Sequence, residues 1–449
     1  MQDKYCIITY CIPLELVLFQ TPIRMKIHLK IKDEWMQTKS HPLLSAAPLF
    51  LVIFIDGMGL SILFPILSII ITNPSTHFLS TSYSADIRNI LYGLVVGIFM
   101  LCWFFGAAIL SDLSDKIGRK KSLLICLIGS FLGYLLGGFA ITVHSVWLLV
   151  LGRVIDGFTA GSQPIAQASV VDLSTEKNKT FYIGLTLFFV SIGFILGPIL
   201  GGFLTDNQLV TWFNYTTPLY FGAAISLLNI ILLLVLFRET FNIKKNVKIK
   251  LTQSLILFAS AFKHKSIRAL SLIFLVMVLG WSNYFSYVSL FLYKQFNFTA
   301  NEIGIFMGLI GVGFAIGFAY LANFFAQRFP LEKIFMITIF INGLSVFLTA
   351  ISPYSLLAWL FVVPASASQS IGYATIISIF SNQVDKTKQG WIMGITGSIL
   401  ALGFGITGLL GGIFTNMEPA LPLLLSTSGL IFSGILMGIL LILRKGQIS

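Results

Sequence analysis

Long apolar stretches alternate with short polar or charged stretches from about residue 47 to residue 443. Each apolar stretch is long enough to cross the hydrocarbon core of a bilayer, which takes about 20 residues of helix. Lipid offers no partner for backbone polar groups, so these stretches must be helices. The twelve predicted spans are 47–72, 90–110, 122–142, 146–169, 181–204, 218–237, 269–292, 302–326, 333–351, 354–380, 390–414 and 419–443.

A basic stretch divides the spans into two sets of six. We predict an N-terminal six-helix bundle over 46–238, a cytoplasmic linker over 239–268, a C-terminal bundle over 269–443 and a cytoplasmic tail over 444–449. The linker could instead anchor the protein to lipid headgroups. Residues 1–45 are predicted to be an interfacial or disordered extension, or to be absent from the mature protein.

Composition supports a membrane protein, because 56% of the residues are hydrophobic and 10% are charged, whereas soluble domains carry about a quarter charged residues. The net charge of +12 is unevenly placed. Lys and Arg are concentrated in the loops on one side, and the opposite loops contain Arg88 and Lys294. The positive-inside rule then puts both termini on the cytoplasmic side of the cell membrane. We expect this membrane to be a bacterial inner membrane. We predict no nucleic-acid partner.

The two halves resemble each other at nearly constant spacing. SDLSDKIGRKK at 111–121 aligns with NFFAQRFPLEK at 323–333, and GPILGG at 197–202 aligns with TGLLGG at 407–412. Such matches indicate parallel repeats about an axis along the membrane normal. The predicted fold class is an all-α membrane protein with twelve transmembrane helices in two six-helix pseudo-repeats.

The stretch 111–121 resembles the loop 2–3 signature of the major facilitator superfamily, G-x-L-[SA]-D-[RK]-x-G-R-[KR]. Ser111 stands in place of the usual first glycine. The matching residues are Leu113, Ser114, Asp115, Lys116, Gly118, Arg119 and Lys120.

Three further stretches resemble signatures of that superfamily. FIDGMGLSILFPIL at 54–67 is similar to the first span of its tetracycline and multidrug efflux branch. GRVIDG at 152–157 is similar to the fourth-span R-x-x-Q-G signature, with Asp156 in place of glutamine. GFILGPILGG at 193–202 resembles the fifth-span signature associated with drug:proton antiporters.

The resemblance implies a conformational latch in the tight charged turn at 111–121. Asp115 would face the N-terminus of the eleventh helix near Gly390, where the helix dipole favours a carboxylate. Arg119 would pair with Asp172, and Gly118 suits a positive φ. Lys120 completes the latch residues. The alternative is that the cluster only sets the membrane topology.

Charged residues inside the spans are candidates for proton coupling, since a charge at mid-membrane costs at least ~2.5–3.5 kcal/mol. Arg153 and Asp156 lie three residues apart and can share a helix face. They form either a structural pair or a pair in which Arg153 modulates protonation. Asp56 has no cation nearby in its own helix, and burial favours a protonated carboxyl, as a proton carrier requires. Asp56 could also be a structural acid or bind a cationic substrate.

The fifth span carries glycines at about four-residue spacing, namely Gly193, Gly197, Gly201 and Gly202. They predict a face on which a neighbouring helix packs closely. Pro198 removes one backbone hydrogen bond and favours a kink. The resemblance implies an antiporter-type helix, although glycine-rich packing is also common in membrane bundles.

Polar or aromatic positions in otherwise apolar spans are candidate substrate contacts. Any of them could instead face lipid or a seam between helices. The candidates are Gln163 and Gln167 in the fourth span, Trp281, Asn283, Tyr284 and Tyr287 in the seventh, and Gln369 and Tyr373 in the tenth.

The predicted function is secondary active transport, namely proton-coupled efflux of small amphipathic molecules by a monomer in the lipid bilayer. The sequence contains no phosphate-binding loop, hydrolase motif or metal-ligand spacing, so we predict no enzyme activity, cofactor or metal. The predicted eighth span lacks the histidine that tetracycline exporters carry. Two alternatives stay open: an uptake carrier for an amino acid, sugar or siderophore, and a non-transporting receptor or assembly factor.

Overall fold

The computed structural model describes residues 42–174, 179–240, 252–385 and 388–446. These residues form α-helices, a 3-10 helix at Pro74–Thr76 and a π-helical segment at Gly317–Leu321, joined by turns and loops. Residues 1–41 of the predicted extension, 241–251 of the predicted linker and 447–449 of the predicted tail lie outside the described residues. The helices are α1 (Pro42–Ser61), α2 (Phe64–Thr72), α3 (Ala85–Ile117), α4 (Arg119–Thr142), α5 (Val146–Thr159), α6 (Ser162–Asp172), α7 (Lys179–Phe203), α8 (Thr217–Leu236), α9 (Gln253–Lys263), α10 (Arg268–Phe296), α11 (Ala300–Ile316), α12 (Ala322–Ala326), α13 (Leu331–Ile351), α14 (Ser355–Asn382), α15 (Gln389–Met417) and α16 (Leu421–Gly446).

Within the described ranges, 11 helical segments are long and apolar enough to cross a membrane. The remaining predicted span, the fourth, is the pair α5 and α6, each of which is too short to cross alone. Counted together they supply the twelfth crossing. The predicted fold class of twelve transmembrane helices in two six-helix repeats is confirmed, and the protein is a multi-pass membrane protein.

Prolines explain why the first and fourth spans are interrupted. A proline ring clashes with the carbonyl four residues before it and removes one helical hydrogen bond. Pro65 lies four residues after Ser61, where α1 ends, and Pro164 lies four residues after Ala160, the C-cap of α5. By contrast, α7 continues through Pro198.

The two halves meet along two pairs of helices. Helix α3 packs against α15, and α7 packs against α11. In terms of spans, the second span packs against the eleventh and the fifth span packs against the eighth. This pairing is expected for two halves related by a pseudo-two-fold axis. The aligned stretches 111–121 and 323–333 also occupy equivalent places, at the α3–α4 and α12–α13 junctions.

The charged stretch 111–121 is more helical than predicted. Residues up to Ile117 belong to the last turns of α3, and Arg119 already begins α4, so the predicted tight turn is reduced to Gly118. Gly118 has φ +99°, which agrees with the expectation of a positive φ. This junction defines the basic-loop side of the protein.

The predicted linker contains a helix, α9, that contacts both halves on the basic-loop side. Ser254 Oγ donates a hydrogen bond to the Phe104 carbonyl of α3 over 2.7 Å. The His264 ring, which follows α9, lies 4.8 Å from the Trp391 ring of α15. The described part of the linker therefore packs on the helices rather than extending away from them.

Candidate functional site

A central cavity of ≈ 530 Å³ lies between the two halves. Its walls come from α1, α3, α6 and α7 in the first half, and from α10, α11, α14 and α15 in the second. Most of the lining is aromatic or aliphatic, which suits an amphipathic ligand. The aromatic lining residues are Phe99, Trp103, Phe194, Trp281, Phe285, Phe314, Phe318, Tyr373 and Phe404.

Few polar side chains interrupt this apolar wall. Asp56 is the one carboxylate among the described residues that line the cavity. The other polar side chains are Gln163, Ser191, Gln369 and Ser370, apart from the Tyr373 hydroxyl. Charge in the cavity wall is therefore carried by Asp56.

Ser162 holds the Asp56 carboxylate from the first turn of α6. Its Oγ lies 2.8 Å from Oδ1 and 2.6 Å from Oδ2 of Asp56. The interruption after α5 makes this contact possible, because it places Ser162 at the start of a new helix. We did not single out Ser162 from the sequence. The signal was Pro164, which predicts a helix boundary at this position.

Arg153 and Asp156 form a buried ion pair behind the cavity wall. Arg153 Nη1 lies 3.4 Å from Asp156 Oδ2, and the two residues are 5% and 6% exposed. The guanidinium lies 4.0 Å from the centroid of the Phe99 ring, which lines the cavity. The two residues thus share a helix face, as predicted from their spacing, and one aromatic ring separates Arg153 from the cavity.

Tyr134 of α4 is a buried tyrosine near both Asp56 and Asp156. Its hydroxyl interacts electrostatically with Asp156, Arg153 and Asp56, and it has no hydrogen-bond partner among the described residues. A Cβ atom at Gly59 would lie 2.6 Å from this hydroxyl, so α1 approaches it closely. Tyr134 is not among the predicted site residues, because tyrosine is common in membrane helices and carries no signal of its own.

The predicted substrate contacts divide into two groups. Gln163, Trp281, Gln369 and Tyr373 line the central cavity. Gln167, Asn283, Tyr284 and Tyr287 do not belong to its lining, and their role as substrate contacts stays a prediction. In helix α10 the reason is periodicity, since its cavity face carries Trp281 and Phe285.

The other three α10 residues have different surroundings. Asn283 lines a separate pocket on the outside of the second half. Tyr287 is buried and donates a hydrogen bond to the Gly408 carbonyl of α15. Tyr284 is buried beside Trp281, with 5.2 Å between the ring centroids.

Gln369 is oriented by a residue that sequence analysis did not identify. Asn342 Nδ2 donates to Gln369 Oε1 over 2.8 Å, and Asn342 is fully buried. This bond fixes the orientation of the Gln369 amide, whose Nε2 can donate to a ligand.

The glycines of α7 permit close contact with the helix that carries Asp56. A Cβ atom at Gly193 would lie 2.6 Å from the Phe54 carbonyl, and one at Gly197 would lie 3.0 Å from the Met58 carbonyl. Gly201 likewise faces Ile62. Gly202 instead faces Ala300 in the other half. Three of the four predicted glycines therefore share a face against the first span.

Arg119 brings together the predicted latch residues. Its Nη1 lies 3.1 Å from Asp115 Oδ1 and donates to Ser114 Oγ over 2.6 Å. Its Nε lies 3.7 Å from Asp172 Oδ2. A Cβ atom at Gly390 would meet no atom within 4 Å, and the predicted approach of Asp115 to the N-terminus of α15 near Gly390 stays a prediction.

Glu239 joins the start of α4 to the end of α8. Its carboxylate accepts hydrogen bonds from the backbone N–H groups of Arg119 (2.9 Å) and Lys120 (3.1 Å). Lys120 Nζ in turn donates to the carbonyls of Leu234 (2.9 Å) and Phe237 (2.6 Å). Each charged side chain thus satisfies backbone groups at a helix end. The sequence indicated no role for Glu239.

Hydrogen bonds between the halves lie toward the side opposite the basic loops. Tyr92 Oη donates to the Ser286 carbonyl over 2.7 Å. Asn301 Nδ2 donates to Asp206 Oδ2 over 3.2 Å. The halves are therefore joined on this side, and the cavity extends from Phe285 toward the basic-loop side.

Two six-helix halves around one cavity at mid-membrane are the architecture of a membrane carrier. The sequence profile of the Major Facilitator Superfamily matches residues 49–406 and 270–448. The chain belongs to this superfamily, as its motifs predicted. It is a family of membrane transporters, so a small-molecule substrate and a lipid bilayer are its partners.

Several characterised proteins are similar along most of their length. Tetracycline resistance protein class E of Escherichia coli is 27% identical over 355 residues, covering 78% of this chain and 83% of that protein. Multidrug resistance protein 1 of Bacillus subtilis strain 168 is 25% identical over 378 residues, covering 80% and 92%. The structure of the xylose transporter XylE from E. coli shares the fold with a TM-score of 0.67 at 12% identity, covering 89% of this chain and 97% of that one.

Proposed function

We propose that the protein is a secondary active transporter that exports small amphipathic molecules in exchange for protons, by alternating access. The observation that carries this proposal is Asp56, the one carboxylate in the described lining of a largely aromatic cavity. Aromatic walls bind planar apolar molecules, and a carboxylate binds either a proton or a cation. The similarity to tetracycline and multidrug resistance proteins supports export.

The exchange depends on competition at Asp56. With the cavity facing the cytoplasm, Asp56 releases its proton and the substrate binds among the aromatic side chains. After the halves rock, the cavity faces outward, a proton binds Asp56 and the substrate leaves. One proton then moves inward as the carrier resets. Ser162 stabilises the ionised carboxylate through its hydrogen bonds.

The Arg153–Asp156 pair acts as a second element of proton coupling. The Arg153 guanidinium packs on the face of the Phe99 ring, on the side away from the cavity. Substrate that displaces this ring would therefore also move the guanidinium. Close packing of the α7 glycines on the first span would limit leakage beside Asp56.

The latch works on the basic-loop side. In the described state Asp115 pairs with Arg119. When the cavity closes toward this side, Asp115 would approach the N-terminus of α15, whose dipole favours a carboxylate. Gly118, Lys120 and Asp172 hold the junction in place during that movement.

The topology and domain boundaries follow from charge. We place the basic-loop side and both termini on the cytoplasmic side of a bacterial inner membrane. Residues 46–238 and 269–443 would move as two bodies linked by 239–268, within a monomer.

The test is proton flux in inside-out vesicles. A pH-gradient dye is followed while amphipathic compounds are added, with wild type beside Asp56→Asn and with Glu418→Gln as the matched control. Glu418 is exposed at the end of α15, away from the cavity. We expect substrate to dissipate the gradient in wild type and in Glu418→Gln, and not in Asp56→Asn.

Other outcomes would favour the alternatives. Gradient loss that persists in Asp56→Asn would remove Asp56 from the coupling path. No response to any compound, together with accumulation of a metabolite by whole cells, would favour an uptake carrier. Unchanged biological activity of Asp56→Asn without any transport would favour a receptor or assembly factor.

A further inference from the structure

Two polar side chains of α14 lie one helical turn apart on the wall of the central cavity. Gln369 and Tyr373 are four residues apart, and this spacing puts them on the same face of the helix. Both line the cavity from the second half, whereas Asp56 lines it from the first. The wall thus carries its carboxylate in one half and this uncharged pair in the other.

Asn342 of α13 sets the orientation of the Gln369 amide. Helix α13 packs along α14. Asn342 is fully buried, and its Nδ2 donates to Gln369 Oε1 over 2.8 Å. A primary amide has an acceptor oxygen at one end and a donor nitrogen at the other. The bond turns the oxygen toward α13 and leaves the nitrogen unpaired by that helix.

The donors of the α14 pair can be reached from the cavity. Gln369 Nε2 and Tyr373 Oη make no hydrogen bond within the part of the chain that the structure describes, and neither atom is fully enclosed by protein. Asn342 Oδ1, by contrast, is enclosed. Because both donors belong to side chains in the cavity lining, a molecule in the cavity can accept hydrogen bonds from them.

Aromatic contacts restrict the Tyr373 ring. Its centroid lies 6.2 Å from that of Phe318, which also lines the cavity, and 6.0 Å from that of Phe274, which is fully buried. A ring packed against two neighbours has few rotamers open to it. The hydroxyl therefore has a defined position close to the Gln369 amide.

The first half has a polar pair at the equivalent place. The sequence alignment that pairs the two charged junctions also pairs Ser130 with Asn342. Ser130 donates a hydrogen bond to Asp156, which in that alignment is one residue from the equivalent of Gln369. Asp156 does not belong to the cavity lining, whereas Gln369 does. The second half thus offers neutral hydrogen bonding to the cavity at the position where the first half holds a charge behind the wall.

We propose that Gln369 and Tyr373 form an acceptor-binding site for a carbonyl oxygen of the transported molecule, with Asn342 as its positioning residue. A carbonyl oxygen has two lone pairs, so it can accept from Nε2 and Oη together. The substrate class is then amphipathic molecules whose aromatic body carries a carbonyl group. This inference rests on the proposed function, because the acceptor-binding site lies in the same cavity as Asp56.

The test compares two tritium-labelled probes that differ in one group. One is a fluorenone with a dimethylaminoethoxy chain, and the other is the corresponding fluorene, which has a CH₂ group in place of the carbonyl. Binding to the full-length protein in lipid nanodiscs is measured by scintillation proximity, with empty nanodiscs as the blank. We expect the fluorenone to bind about tenfold more tightly, as two added hydrogen bonds of ordinary strength allow.

Variants of the two donors test the site itself. Gln369→Leu removes the amide at similar volume, and Tyr373→Phe removes only the hydroxyl. We expect each to reduce the fluorenone preference to about threefold, since one hydrogen bond is left. The double variant should show no preference.

The positioning role of Asn342 has its own variant and control. We expect Asn342→Leu to reduce the preference to about threefold, because the Gln369 amide is no longer held. Asn229→Leu also removes a fully buried asparagine, but from α8, which supplies no residue to the cavity wall, and it should keep the tenfold preference. A general loss of packing would weaken both probes alike and leave their ratio unchanged.

The outcomes separate this inference from the proposed function. Equal affinities in wild type would overturn the acceptor-binding site, as would a tenfold preference that persists in the double variant. A tenfold preference in Asn342→Leu would overturn the positioning role. If the two probes bind equally and both drive proton flux that depends on Asp56, the acceptor-binding site fails and the proposed function stands. If neither probe binds, both fail.

Discussion

Lys294 of α10 donates a hydrogen bond from Nζ to Asn89 Oδ1 of α3, over 2.7 Å. The bond joins the two halves on the side opposite the basic loops. Asn89 Nδ2 donates in turn to Asn416 Oδ1 of α15, also over 2.7 Å. A half-buried lysine thus takes part in a network that links α3 of the first half to α10 and α15 of the second, and the two halves must separate if the cavity is to open on this side.

Removing this lysine should favour the state in which the cavity opens on the side opposite the basic loops. We expect Lys294→Met to raise the fraction of molecules open on this side about tenfold, because a hydrogen bond to a charged group contributes roughly 1.5–3 kcal/mol. Distances between spin labels at Thr81 and Glu418, in a background without native cysteines, measure this fraction. Lys333→Met, at an exposed lysine, is the control. An unchanged distance distribution in Lys294→Met would contradict this role.

The fold was predictable because its signals are long and repeated. Each span needs many apolar residues, so one polar residue does not hide it. Local interruptions were less visible: the break before Ser162 depends on Pro164, and hydropathy alone does not show a proline's effect. The helical state of 111–117 was missed because charge was taken as a sign of a loop, although charged residues extend membrane helices readily.

Ser162 should matter for coupling, since it contacts both oxygens of the Asp56 carboxylate. We expect Ser162→Ala to lower substrate-driven proton flux about tenfold, the effect of losing roughly 1.5 kcal/mol of a charge-assisted bond. Ser169→Ala is a matched control, because Ser169 lies on the same helix and donates only to the Ile165 carbonyl within that helix. Equal flux in the two variants would show that Ser162 has no part in coupling.

The central site was only partly predictable. Asp56 was found because a carboxylate in an apolar span is rare and costly. Its partner Ser162 lies 106 residues away, and serine is common in membrane helices, so no local pattern joined them. Asn342, which orients Gln369, was missed for the same reason. Along α10, polar residues alone did not show which face lines the cavity.

Gly118 should be required for the junction between α3 and α4. Its φ of +99° and ψ of 156° lie in a region that glycine almost alone occupies. A Cβ atom there would also collide with the Glu239 carboxylate. We expect Gly118→Ala to reduce the free energy of unfolding by about 1–3 kcal/mol, seen as a lower Tm in detergent. Gly397→Ala, where a Cβ meets no atom within 4 Å, should melt near wild type. Matching Tm values for the two variants would argue against this strain.

Close packing of α7 on the first span should be required for transport as well as stability. A Cβ atom at Gly193 would lie 2.6 Å from the Phe54 carbonyl and 3.0 Å from the Met58 nitrogen, on both sides of Asp56 along α1. These are backbone atoms, so Gly193→Ala must push the helices apart, at a cost of about 1–3 kcal/mol. Gly184→Ala changes the same helix where a Cβ meets nothing within 4 Å, and should leave both properties intact.

Measuring Tm and proton flux on the same preparations separates two roles of this contact. If Gly193 only holds the bundle together, Gly193→Ala should lower Tm while the folded fraction transports normally. If the contact also positions Asp56, flux per folded molecule should fall several-fold below that of Gly184→Ala. We expect the second result, because the displaced backbone of α1 carries the carboxylate that Ser162 must reach from the opposite wall. Normal flux per folded molecule would restrict the α7 glycines to a structural role.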